Sequence, residues 1–141
     1  MPSDSKEFAL AELSDWGEAL GAKLRAPAVV TLEGDLGAGK TTLVQAIARG
    51  YGVRDAVTSP TFALVHMYHA DRSPVFHLDL YRLSGPHQLA NIGWDDALAA
   101  NAIVLIEWPD RAGAELPAAT HAITLSHVAG KPDVRAVSVV S

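Results

Sequence analysis

The chain has no cysteine, which excludes disulfide frameworks and thiolate metal sites and is consistent with a reducing compartment. Basic residues are scarce: 11 Lys and Arg stand against 16 Asp and Glu, for a formal charge of -5 and a pI near 5.6. An overall field of that sign does not hold nucleic acid by itself, although a local basic patch remains open. Long apolar runs are missing too. None approaches the roughly 20 residues of a membrane span. Residues 1–7 show no basic region followed by an apolar stretch, so no secretory signal is expected and the cytoplasm is the expected compartment. No internal repeat or low-complexity linker interrupts the chain. What remains is the composition of a folded domain, 49% apolar and 19% charged. At 141 residues, one domain over 1–141 is expected, able to bury roughly two thirds of its unfolded surface.

The pattern alternates strands and helices. Residues 8–10 suit a short strand. Leu13, Trp16, Leu20 and Leu24 recur at helical spacing, and Ala26-Pro27 stops that helix. Residues 28–32 form an apolar, β-branched run that suits a buried strand. A glycine-rich turn follows at 34–39, then a helix over 41–49, with Gly50 and Gly52 as its stop signals. Residues 57–61 read as a loop around Ser59-Pro60, and 62–68 as strand-like. Residues 71–74 suit a turn. Residues 75–81 alternate, with Phe76, Leu78 and Leu80 on one face and His77, Asp79 and Tyr81 on the other. Ser84-Gly85-Pro86 ends that strand. Residues 87–100 read as mostly helical, with Gly93 an interruption. Residues 102–106 form a second fully apolar strand that ends in Glu107-Trp108-Pro109. Residues 122–128 and 134–140 pair as terminal strands around a turn at 130–133. The expected fold is α/β: a single P-loop NTPase-like domain with a mixed sheet and flanking helices.

Gly34-Asp35-Leu36-Gly37-Ala38-Gly39-Lys40-Thr41 fits G-x-x-x-x-G-K-[ST], and it stands where that motif must, between a strand and a helix. Glycines let the backbone curl so that successive N–H groups point at phosphate oxygens. The helix adds its positive N-terminal end. Lys40 can reach the β- and γ-phosphates, Thr41 can take one corner of an octahedral Mg²⁺, and Thr42 can reach the α-phosphate. Such a loop also needs an acid near the metal, commonly at the end of a neighbouring apolar strand. Glu107 ends one such strand, and Asp79 lies on the polar face of another. Ser59-Pro60-Thr61-Phe62 falls where many nucleotide hydrolases place a segment that senses the γ-phosphate. His66, His69 and His77 do not read as a metal site, because His66 and His69 fall on opposite faces of a strand.

Taken together, GDLGAGKTTL, SPTF, HLDLYRL and IEWP resemble, in order and spacing, the bacterial TsaE (YjeE) family, over about residues 10–109. The resemblance implies a small ATPase of the pathway that makes threonylcarbamoyladenosine beside the anticodon of tRNA, acting with TsaD and TsaB. It implies ATP and Mg²⁺ as ligands, while the acidic balance leads us to expect tRNA contact only indirectly or through the complex with TsaD and TsaB. On it, Gly37, Ala38, Gly39, Lys40, Thr41 and Thr42 bind the triphosphate, and Thr41 and Glu107 hold Mg²⁺. Asp79 is an acid near the γ-phosphate, Trp108 a functional aromatic, and Ser59 and Thr61 belong to the nucleotide-sensing switch. Lys40, Asp79 and Glu107 form the expected catalytic set. Either acid could orient the attacking water. The family often carries proline and two acids after the HLDLYRLS stretch, whereas this chain has Pro86-His87-Gln88. No arginine finger is evident, so slow hydrolysis alone and stimulation by a partner are expected. Two other readings stay open: a small P-loop kinase, for which 141 residues leave little room for an acceptor pocket and lid, and a non-catalytic ATP-binding regulator. A GTPase would show N-K-x-D, which is missing.

Overall fold

The computed structural model describes residues 4–35, 37–54 and 65–141. The proposed switch at Ser59, Pro60, Thr61 and Phe62 lies outside the described residues, as does the start of the strand expected over 62–68. The described elements run β1 (Asp4–Ala9), α1 (Leu10–Lys23), β2 (Ala28–Glu33), α2 (Lys40–Tyr51), β3 (Val65–Tyr68), β4 (Val75–Asp79), a 3-10 stretch (Pro86–Ile92), α3 (Trp94–Ala99), β5 (Ile103–Glu107), a second 3-10 stretch (Pro109–Glu115), β6 (His121–Val128) and β7 (Lys131–Val140).

The described strands form one mixed sheet in the order β1-β7-β6-β2-β5-β4-β3. At its centre β2, β5 and β4 are parallel, and β6 runs parallel to β2 on the other side. The pairs β1/β7, β6/β7 and β3/β4 are antiparallel. Register brings the carboxyl ends of the three central strands level: Leu32 pairs with Glu107, and Glu107 with Asp79. Ligands of open α/β sheets bind at such strand ends.

Strand alternation sorts the core into two clusters. Val30 and Leu32 of β2, Ile103 and Leu105 of β5, and Val75 of β4 pack with Leu13 of α1 and Leu43, Val44 and Ile47 of α2. Leu78, Val104 and Ile106 point the other way and pack with Leu89, Trp94 and Ala112. Both faces at the sheet centre are therefore covered. The expected polar face of β4 is not a solvent face: His77 has 0% exposure, since it lies on the side that α2 covers.

Three further expectations change. Gly50 does not stop α2; it lies inside the helix, and the left-handed C-cap is Gly52 (φ 109°). A Cβ on Gly50 would collide with the Glu18 carbonyl, and one on Gly21 with the Ile47 carbonyl, so these glycines set the close approach of α1 and α2. Residues 87–100 are not one helix. Pro86 opens a 3-10 stretch, and Gly93 (φ 79°) turns the chain left-handed before the short α3. Finally, β7 starts at Lys131, so the expected turn at 130–133 is narrower.

Candidate functional site

At the end of β2 the chain turns through Gly34 to Gly39 and enters α2 at Lys40. Gly37 (φ 81°) and Gly39 (φ 99°) take left-handed conformations that side chains resist, and Gly39 is the N-cap of α2. A Cβ at either would meet nothing nearby, so backbone conformation, not crowding, demands glycine there. The first-turn amides of α2 have no partner one turn earlier in the helix, so they are donors aimed at the loop.

The loop is braced from outside. Arg135 of β7, only 9% exposed, donates its Nε–H to the Ala38 carbonyl at 3.2 Å. Its Nη1 donates to the carbonyls of Pro132 (2.7 Å) and Val134 (3.0 Å). The C-terminal strands, in which the sequence offers no readable motif, thus carry a residue that fixes the phosphate loop. Burial, the signal that sets Arg135 apart from other arginines, is not visible in a sequence.

Lys40 is 5% exposed. Its Nζ donates to the Gly34 carbonyl, lies 3.4 Å from the Asp35 carbonyl oxygen and stands 3.7 Å from the centroid of the Trp108 ring. Burial lowers its pKa from the ordinary lysine value, opposed by the negative charges of Glu107, Asp79, Asp35 and Asp110. Trp108 holds its ring there through an unusual backbone: φ 58° and ψ 53°, left-handed without being glycine. That conformation costs about 1–3 kcal/mol. A desolvated cation–π contact, worth about 0.5–2 kcal/mol, offsets much of it. The Tyr81 ring packs on Trp108 at 5.0 Å, and the Arg111 guanidinium lies over both rings.

Glu107 is 2% exposed at the end of β5. The Thr41 hydroxyl donates to it, at 3.3 Å from Oε1 and 3.4 Å from Oε2. His77 Nε2 lies 2.6 Å from its Oε2. Asp79 is partly buried, and its Oδ1 accepts the Tyr81 N–H at 3.1 Å. Burial raises its pKa above the ordinary carboxylate value, helped by the Glu107 charge and opposed by the Tyr81 amide, His77 and Lys40. An acid perturbed in this way beside a cleft is a common mark of a functional site.

Gly37, Gly39, Lys40, Thr41, Thr42, Asp79, Tyr81, Glu107 and Trp108 line one cleft of about 380 Å³. Of the sequence-predicted set, all those described except Ala38 are cleft-lining; Ala38 is buried, with its carbonyl on Arg135. Ser59 and Thr61 lie outside the described residues. Tyr81 and His77 are additions: both sit inside the HLDLYRL stretch but carried no assigned role. A larger cleft of about 670 Å³ lies at the opposite end of the sheet and contains none of this chemistry.

Among the described residues, no group of three or more His, Asp or Glu could hold a metal. The Thr41 hydroxyl and the Glu107 carboxylate are nonetheless adjacent hard oxygens at the mouth of the loop. Such a partial set suits Mg²⁺, which keeps several waters and takes its other ligands from phosphates.

Comparison with known proteins bears on residues well beyond the cleft. The family model described as "Threonylcarbamoyl adenosine biosynthesis protein TsaE" matches residues 9–136. A protein of Treponema pallidum named tRNA threonylcarbamoyladenosine biosynthesis protein TsaE is 39% identical over 110 residues, covering 78% of this chain and 81% of that protein. Its namesake in Synechocystis is 39% identical over 121 residues, covering 79% and 74%. The namesake in Nostoc is 46% identical over 98 residues, covering 67% and 60%. The crystal structure of Bacillus subtilis YdiB superposes with a TM-score of 0.79 at 25% identity, covering 99% of this chain and 86% of that one.

Proposed function

The chain belongs to the TsaE family of tRNA threonylcarbamoyladenosine biosynthesis proteins, and from that premise we propose that it is the ATP-hydrolysing component of the machinery, acting with TsaD and TsaB. The observation that carries the reading is the meeting of Lys40, Thr41 and Glu107 at the N-terminus of α2, with Asp79 beside them across one cleft.

Lys40 and the first amides of α2 would grip the β- and γ-phosphates, with Thr42 completing the cradle; Ala38, whose N–H is bonded to the Asp35 carbonyl, would join it only by releasing that bond. To do so, Lys40 exchanges its loop carbonyls for phosphate oxygens. A triphosphate tail adds negative charge directly against the buried ammonium, beyond that of the surrounding acids. Thr41 and Glu107 are the residues that would hold Mg²⁺, which would supply positive charge against the developing phosphate charge. Asp79 orients the attacking water: the water oxygen bonds to the γ-phosphorus as the bond to the ADP oxygen breaks, and the water's proton passes to the Asp79 carboxylate, leaving ADP and inorganic phosphate. Such a transfer needs mainly positioning and electrostatics. Trp108 shields the inner wall of the cleft. Ser59 and Thr61 would serve as the sensing segment.

The same reading makes the whole chain one ATPase unit working in the cytoplasm, with tRNA reached through TsaD and TsaB. The excess of acids over bases supports indirect contact. Among the described residues, no helix is long and apolar enough to cross a membrane.

Reconstitution tests the proposal. Phosphate release and tRNA modification are measured with and without TsaD and TsaB, using the wild type and Lys40→Ala. We expect slow release alone, stimulation by the partners and a loss of about 10²–10³-fold in the variant. A Lys40→Ala protein that supports repeated modification as well as the wild type refutes the role. Tight nucleotide binding without phosphate release, even with both partners, makes the chain a regulator instead.

A further inference from the structure

We propose that His77 is a positioning residue that fixes the Glu107 carboxylate for its metal-holding role, through a hydrogen bond from the His77 Nε2–H to Glu107 Oε2. The inference rests on the reading of Glu107 given above and extends it to a residue with no assigned part.

Three observations lead to it. The bond is short, 2.6 Å, and buried, with His77 at 0% and Glu107 at 2% exposure. Competition from water is absent there, so the bond is stronger and more directional than a surface one. Next, the two strands that carry the pair are locked in parallel register, Leu78 to Ile106 and Asp79 to Glu107, so a planar ring on β4 sets the angle of a carboxylate on β5. The longer Thr41 contacts at 3.3 and 3.4 Å do not by themselves select a rotamer of so flexible a side chain. Last, the site gives up stability for this pair. His77 shares its face of β4 with the core residue Val75, where an aliphatic side chain would suit the packing but would leave the buried Glu107 oxygen without the ring. His77 Nδ1 has no hydrogen-bond partner among the described residues. Burying an imidazole with one open nitrogen is unfavourable, and replacing buried polar pairs with apolar residues often stabilises a fold.

The chemistry fixes which nitrogen bears hydrogen. An ionised Glu107 only accepts, so Nε2 must donate. Oε2 is then committed to His77, which sets the plane of the carboxylate beside the Thr41 hydroxyl, 3.3 Å from Oε1 and 3.4 Å from Oε2. Partners behind a ligand typically change metal affinity by about 10–100-fold.

Two measurements test this. The first uses the wild type alone: ¹⁵N-detected imidazole spectra of nucleotide-free protein should show hydrogen on His77 Nε2. A neutral ring protonated only at Nδ1 overturns the proposal. The second titrates Mg²⁺ calorimetrically into protein saturated with adenylyl imidodiphosphate. His77→Leu should raise the half-saturating Mg²⁺ about tenfold. His77→Gln, whose amide can still donate, should stay within about threefold. Both should bind the nucleotide in EDTA as the wild type does, a readout that a merely structural defect would disturb. If His77→Leu fails to fold, His77→Gln and the spectra still decide. Equal Mg²⁺ dependence in His77→Leu and wild type, or equal losses in folded His77→Leu and His77→Gln, refutes the positioning role alone. A wild type that takes up no Mg²⁺–nucleotide refutes the functional reading, and this inference with it.

Discussion

The ends of β4 and β5 carry the same functional group in opposite circumstances. Glu107 is enclosed, with one oxygen on His77 and the Thr41 hydroxyl against both. Asp79, its register partner, is only partly buried and accepts a single backbone N–H. A carboxylate already held by a ring and a hydroxyl is oriented to grip a cation. One that lines the cleft and, among the described residues, accepts only a backbone N–H is placed to engage a water. The sequence leaves the two acids interchangeable; their surroundings support a division in which Glu107 holds and Asp79 orients.

The sharpest way to break this division is to neutralise each acid. Asp79→Asn is expected to cut phosphate release by about 10²–10⁴-fold, the usual range for a lost acid–base group, with the Mg²⁺ requirement unchanged. Glu107→Gln is expected to raise the half-saturating Mg²⁺ by about tenfold or more and to regain part of its rate at high Mg²⁺. Steady-state rates across a Mg²⁺ series, with TsaD and TsaB present, provide the check. Matching Mg²⁺ dependence in the two variants would erase the distinction.

Arg135 offers a control from the far side of the loop. It donates to the Ala38 carbonyl and contacts neither acid through any described hydrogen bond. Arg135→Met removes three charge-assisted bonds and strands the Ala38, Pro132 and Val134 carbonyls, so at least about 1.5–3 kcal/mol of stability should go. Nucleotide affinity should weaken as the loop loosens, while the Mg²⁺ profile keeps its shape. Urea melts and nucleotide titrations measure both. A changed Mg²⁺ profile would show that the loop, not the acids, governs the metal.

What the sequence disclosed follows from how local each signal is. The phosphate loop is legible because strand, glycines, lysine and threonine are contiguous and each is demanded by backbone geometry or charge. β5 is legible as an unbroken apolar run, and β6 and β7 as a strand pair around a turn. Gly50 misleads because glycine usually stops a helix, whereas here it admits the Glu18 backbone from 32 positions away. His77 misleads because alternation marks a polar face without saying whether a helix covers it. Arg135 is silent because its partner, Ala38, is 97 residues distant. Residues 87–100 fail for a local reason: Gly93 turns left-handed and divides what helical composition joins.

The mildest test returns to Asp79 and concerns stability alone. Burial raises its carboxyl above the ordinary value of 3.8. The folded state therefore binds the proton more tightly than the unfolded chain. Its stabilising effect is complete below the ordinary value and is lost as pH rises through the raised one. Above that window the folded protein carries a partly buried charge that Asn would not. Asp79→Asn keeps an oxygen to accept the Tyr81 N–H and is never ionised. Its melting temperature should exceed that of the wild type at neutral pH, and the two should converge as the buffer falls below the ordinary carboxylate value. Thermal melts at a series of pH values read the difference directly. Equal melting temperatures throughout would mean that Asp79 is solvated as freely in the folded protein as in the unfolded chain, and the contrast with Glu107 would then rest on hydrogen bonding alone.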